Sequence, residues 1–428
     1  MTLGIFHVYF GKSMVSCLAR FRKLMAFPAA SVVALLLPSG QQNQSPPSQP
    51  SNAPQVREEI RTIEKLLPQL LDRGPALSQL AHDYVYLGDL SKGLSVLKEC
   101  IALKEGFDPD GDPVFLPLKT NPEYVSLVSE VHREYPQVQQ SHLALTIPEK
   151  DLIPEGLTAD TQRHVFYMGS LNLGKIVKFT TSGTVSDFIG VSKYKLRSVC
   201  GMKVDPSTGD VWANTCPYDG IGSELAHFDQ HGRMLEHFGS LEPGSHLFND
   251  LVLRQSEGIY LTDSLANRVF RFDRKTHAFT ALIFPRSLYY PNGIALSDDG
   301  NWLYISDAFG TLQYNFGNQR AHEVDPGPST TVSGFDGLYW YHDGLIGIQN
   351  SLGSARVAQF RLSSDGLRVA AASILENRSD FVSSPTTGAL DGSQFYFIAN
   401  THIDDWKDGK IVNEKQLEPV RIGVLELR

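Results

Sequence analysis

From Asp151 to the end of the chain, short runs in which aromatic or aliphatic residues alternate with polar ones are separated by Asp/Gly turns such as DPSTGD, SDDGN and SSDG. That period of two predicts β-strands rather than helices. The pattern repeats six times. Each repeat holds a step in which a small or polar residue precedes Gly (once Asp): Glu155-Gly, Cys200-Gly, Asn249-Asp, Asn292-Gly, Asp336-Gly and Thr387-Gly. A strand follows in each: VFYMGS, VWANT, IYLTDS, LYISD, LIGIQN and FYFIAN. Taking Tyr167, Trp212, Tyr260, Tyr304, Ile346 and Tyr396 as markers, the intervals are 45, 48, 44, 42 and 50 residues. A repeat of that length with several short strands predicts an all-β fold, a six-bladed β-propeller. Its geometry would bring the six step residues to one ring around a central channel.

Ahead of the propeller the period changes. Ile60, Ile63, Leu66, Leu67, Leu70 and Leu71 recur at helical spacing, and the segment ALSQLAHDYVYLGDLSKGLSVLKECIALKEG resembles a tetratricopeptide repeat with its turn at Gly88-Asp89. A further helix is predicted to be capped near Asn121. The expected division is a signal peptide or disordered segment over 1–40, a Gln/Ser/Pro linker over 41–55, a small helical region over 56–140 and the propeller over 141–428. The run SHLALTIP at 141–148 alternates like a strand, and the last repeat lacks its outermost one. The segment 141–148 is therefore expected to close the sixth blade and remove two exposed edges.

Composition narrows the function. Among 428 residues the net charge is −9 and the isoelectric point about 5.8, which disfavours a nucleic-acid binder. Arg20, Arg22 and Lys23 precede a short apolar stretch, Leu24 to Pro38. This reads as an export signal rather than a membrane span, so a periplasmic or secreted location is expected, with a cytoplasmic one as the alternative. If Val204 pairs with Val211, Cys200 lies nearly opposite Cys216, which allows a disulfide in an oxidising compartment.

Asn-Gly and Asp-Gly pairs are ordinary turn chemistry. Four of the step residues, Glu155, Asn249, Asn292 and Asp336, differ in standing 10 to 12 residues before their strand marker, whereas turn pairs such as Asp299-Gly300 fall about four before it. Two carboxylates and two amides at one height would repel unless a proton or a cation sits among them. Oxygen ligands of this kind suit Ca²⁺, Mg²⁺ or Mn²⁺, without excluding Zn²⁺.

The segments IPEGL, FNDLVLRQSEGIYLTDS, PNGIALSDDGNWLYISD and FDGLYWYHDGLIGIQN resemble the family of gluconolactonase, senescence marker protein (regucalcin) and luciferin-regenerating enzyme, over roughly residues 150–400. The resemblance implies a six-bladed propeller with one divalent cation, Ca²⁺ above the others, held by Glu155, Asn292 and Asp336, with Asn249 binding substrate. The chain departs from the family at Leu247, where sugar-lactone enzymes often carry Arg, and at Gly169-Ser170, where an Asp is usual.

Two readings follow. In the first, the protein is a metal-dependent hydrolase of a lactone or related ester, with Asp336 as general base and Asn249 orienting the substrate. Tyr339, Trp340 and Tyr341 would shape the pocket, and His342 and His246 are further candidates for proton transfer. In the second, it is a non-catalytic binding module with a structural metal, whose helical region recruits a protein partner.

Overall fold

The computed structural model describes Pro50 and residues 52–239 and 243–428. The expected export signal lies outside these residues. From residue 138 onward the chain forms six antiparallel blades arranged as a propeller, and in the first five the four inner strands follow sequence order from the axis outward. The innermost strands are Val199–Val204, Phe248–Arg254, Ile294–Leu296, Phe335–Tyr341 and Gly388–Asp391 in blades two to six, and Pro154–Asp160 in blade one. Each neighbours the next, and the sixth neighbours the first.

The sixth blade is completed from the other end of the chain. The strand His142–Ile147 pairs antiparallel with Val420–Glu426, running from His142 opposite Val424 to Ile147 opposite Val420. Aromatic side chains fill the wedges between blades. Phe166 packs on Tyr396 across the junction of blades one and six, and Tyr304 stacks on Trp340 across blades four and five.

Four α-helices precede the propeller: α1 (Ala53–Leu66), α2 (Gly74–Tyr86), α3 (Leu90–Ala102) and α4 (Pro122–Glu134). Asp89 caps α3 by accepting from the Lys92 amide, and Asn121 caps α4 by accepting from the Glu123 and Tyr124 amides. Two expected boundaries move. The linker ends earlier, because α1 starts at Ala53. The helical region ends before residue 140, because Val138–Gln139 pairs with Val369–Asn377 as a fifth strand of blade five.

The helices lie on the propeller and bury its loops. Helix α2 is buried on nearly every face, as expected of a helix packed between two bodies. Val56, Ile60 and Ile63 of α1 and Ala76, Leu80 and Tyr84 of α2 share one apolar cluster with Tyr290, Ala308 and Phe309 of blade four. Blade five is tied down by polar contacts. Asp72 accepts hydrogen bonds from Thr331 Oγ1 and the Val332 amide, both at 2.8 Å, and the buried Arg356 donates to the Glu105 carbonyl at 3.0 Å. Asp72→Ala would leave the Val332 amide buried and unpaired, at about 1–3 kcal/mol, while Thr331 Oγ1 keeps its contact with Ser333 Oγ. A lower melting temperature and faster proteolytic release of the helices are the expected results.

Candidate functional site

The six step residues do share one height. Each marker lies opposite the residue two or three places after its step residue: Tyr167 opposite Thr158, Trp212 opposite Lys203, Tyr260 opposite Val252, Tyr304 opposite Ala295, Ile346 opposite Tyr339 and Tyr396 opposite Ala389. Glu155, Cys200, Asn249, Asn292, Asp336 and Thr387 are all buried, with 4–7% of each exposed. In blades one, two, three and five the pairing slips at this step, between Pro154 and Leu157, Val199 and Met202, Phe248 and Leu251, and Phe335 and Gly337. Such a bulge re-aims the side chain it carries. The glycine after the step residue lets neighbouring inner strands meet: a Cβ on Gly156 would overlap the Cys200 carbonyl, and one on Gly201 would lie 2.5 Å from the Asn249 carbonyl.

A second backbone feature separates three ring residues from the rest. Ile153 (φ 46°), Tyr290 (φ 51°) and Gly334 (φ 68°) are left-handed, and each stands two residues before a candidate ligand, Glu155, Asn292 or Asp336. Ser198, Leu247 and Pro385, at the matching places before the other ring residues, carry no such kink. Left-handed geometry at Ile and Tyr costs about 1–3 kcal/mol each and persists where the surroundings enforce it, commonly at functional sites.

Asp336 is the centre of the polar network. Asn292 Nδ2 donates to its Oδ1 at 2.9 Å, and Asn350 Nδ2 donates to its Oδ2 at 2.6 Å. Burial raises the Asp336 pKa to about 7 against these two hydrogen bonds, and the charge of Asp250 adds to the rise. Asn249 Nδ2 donates to Ser264 Oγ at 3.1 Å, and Ser264 in turn donates to the Pro291 carbonyl. Glu155 is fixed through its backbone, whose carbonyl accepts from Thr387 Oγ1. The step residue of blade two is engaged differently: Cys200 forms a disulfide with Cys216.

The donor set suits a hard cation. Asn292 Oδ1 and Asn350 Oδ1 are buried acceptors with no hydrogen-bonding partner, and a cation bound among them, Asp336 and Glu155 would supply the missing positive charge. Among the described residues no three His, Cys, Asp or Glu side chains form a metal-ligating group, so any such site is built from carboxylates together with amides.

A proton and a cation compete for Asp336. Its raised pKa favours the protonated apo fold, a contribution present below the ordinary carboxylate range and lost as the pH rises through about 7. Cation affinity should therefore weaken about tenfold per unit below pH 7 and level off above it. Titration calorimetry with Ca²⁺ and Mn²⁺ across that range checks this.

Other candidates fall elsewhere. His246, in the loop before Phe248, is buried, with Nδ1 2.6 Å from Asp263 Oδ2. His342 occupies an exposed turn six residues beyond Asp336, about 20 Å along an extended strand, too far to exchange a proton at the ring. Tyr341 lies beside it, Trp340 fills a blade junction, and Tyr339 lines the channel, where burial foremost, and then the charges of Asp250, Asp336 and Glu155, raise its pKa. Sequence reasoning missed Asn350. The signal was present, since the marker strands end on Ser170, Thr215, Ser264, Asp307, Asn350 and Asn400, and Ser264 and Asn350 both hold a ring residue.

Fold and ring together define a six-bladed propeller with a carboxylate–amide cluster on its axis. No protein-family model matches the chain, and no curated protein matches it. Similar solved structures include a gluconolactonase of Xanthomonas campestris (14% identity, 68% of this chain and 91% of that one, TM-score 0.47). A luciferin-regenerating enzyme (13%, 66% and 95%, TM-score 0.46) and a PQQ-bound aldose sugar dehydrogenase of Streptomyces coelicolor (14%, 68% and 99%, TM-score 0.48) are similar as well. None of these scores reaches 0.5, so the likeness transfers no ligand or activity to this chain.

Proposed function

We propose that this protein is a cation-dependent hydrolase of a lactone or related ester. The observation that carries the reading is Asp336, a carboxylate buried on the axis and held by two amides. A carboxylate fixed beside a bound cation can take a proton from an adjacent water. A divalent cation held by Glu155, Asn292 and Asp336 would polarise the substrate carbonyl. Asp336 takes a proton from the attacking water through a carboxylate oxygen, while Asn249, anchored by Ser264, orients the substrate. The water oxygen bonds to the carbonyl carbon, the ring C–O bond breaks, and the departing oxygen takes up the proton, giving the hydroxy acid. The Cys200–Cys216 disulfide supports an exported protein.

A second reading, a binding module with a structural cation, is favoured by helices α1 and α2 seated on the blade-four loops, an added surface on which a protein partner would dock. A panel of lactones assayed with Ca²⁺, Mn²⁺ and Zn²⁺ separates the two. Cation-dependent turnover supports the hydrolase. A cation-raised melting temperature without turnover supports the module.

A further inference from the structure

The two ends of the channel differ. The ring residues open the inner strands, so the loops that enter each blade, and those joining its second and third strands, lie at the ring end. Helices α1 and α2 cover these loops on blade four. Ile403, Trp406 and Leu417, from the connection inside blade six, cover them on blades one to three, packing on Ile153, Leu171, Cys200, Cys216 and Leu247. At the far end the six inner strands surround an open cavity of about 360 Å³.

Half-buried aliphatic residues, Val204, Leu253, Leu296 and Leu390, line that cavity beside the polar Thr158 and Ser297. Towards the ring stand Lys203 and Tyr339, three residues after Cys200 and Asp336. Lys203 Nζ lies 3.8 Å from Asp250 Oδ1 and 5.3 Å from the centre of the Tyr339 ring. Asp250 Oδ2 is buried without a hydrogen-bonding partner. The cavity therefore ends on Lys203 and Tyr339, each three residues along the inner strand from the ring, and the ring residues themselves lie beyond its lining. Thr161 and Asp298 mark its exposed rim.

We infer that substrate reaches the ring from this far end and that the cavity selects lactones bearing an alkyl chain over polyhydroxylated sugar lactones. The inference rests on the hydrolase reading. Each hydroxyl buried in the cavity without a partner lowers kcat/KM by about fivefold to 150-fold. Each methylene buried there gains about 0.8 kcal/mol, roughly fourfold in kcat/KM. Leu247, standing where a sugar-lactone enzyme often has Arg, fits the same preference.

The test compares δ-valerolactone, δ-decalactone and glucono-δ-lactone on the full chain with Ca²⁺ or Mn²⁺, beside the rim variants Thr161→Trp and Asp298→Trp. Binding of δ-decalactone is followed separately by tryptophan fluorescence. The expected result is a kcat/KM for δ-decalactone about a thousandfold above that for δ-valerolactone when all five added carbons are buried, lost in the rim variants while their melting temperature holds. Hydrolysis that favours glucono-δ-lactone, or shows no gain with chain length, overturns the inference and leaves the hydrolase reading standing. If no lactone is hydrolysed but δ-decalactone binds and a rim variant abolishes that binding, the hydrolase reading fails and the cavity assignment holds. Absence of both overturns both.

Discussion

Asp336→Ala is expected to lower lactone hydrolysis by about 10²–10⁴-fold and to abolish the rise in melting temperature produced by Ca²⁺ or Mn²⁺. The two effects share one cause. Both Asp336 oxygens are engaged by amides that hold the carboxylate in place, so the same group would ligate the cation and take the proton. Asn350→Ala is the informative companion. Its hydrogen bond lowers the Asp336 pKa, so losing it should move the acid limb of the pH–rate profile upward, whereas a merely structural role would leave that limb in place. An Asp336→Ala protein that kept both its rate and its cation-induced stabilisation would remove the ring from any part in chemistry.

Deleting residues 1–147 is expected to be the most damaging truncation, far worse than deleting residues 1–137. The shorter deletion removes the helices and leaves both N-terminal strands. The longer one strips His142–Ile147 from Val420–Glu426 and exposes an edge whose pairing spans six residues. Lost ladder hydrogen bonds cost about 0.5–1.5 kcal/mol each, and losing the buried Ile147 side chain, 1% exposed in the intact fold, adds about 1.5–3 kcal/mol. That total approaches the whole stability of an ordinary domain, about 5–15 kcal/mol. Soluble yield, size-exclusion profile and melting temperature measure the outcome. A monomeric, cooperatively melting product of the longer deletion would show that the ring does not depend on this strand.

The propeller was legible because its signal is repetitive: six markers, each at nearly the same distance from its step residue, define the register that the paired strands show. The ring was legible for the same reason. Other features were not. The bulges at Glu155, Cys200 and Asn249 arise from how neighbouring strands meet, which no single repeat records. Gly334 could have suggested a left-handed kink, but Ile153 and Tyr290 could not, since such residues avoid that conformation unless tertiary contacts impose it. The docking of α2 was hidden as well. Its spacing marks a helix, and the partner of each face is settled only by distant loops such as Tyr290 and Phe309. The burial of His246 was hidden because its partner Asp263 is 17 positions away.

The strand that seals the sixth blade also sets a timetable for synthesis. His142–Ile147 leaves the ribosome long before Val420–Glu426, with roughly 270 residues between them. At about 5–20 residues per second, that is a wait of about 14–54 seconds. During that interval blades one to five can assemble in order while the early strand stays unmated. Translation must therefore finish before the protein owns a complete channel, and a stalled ribosome leaves a nascent chain with a sticky edge for chaperones to guard.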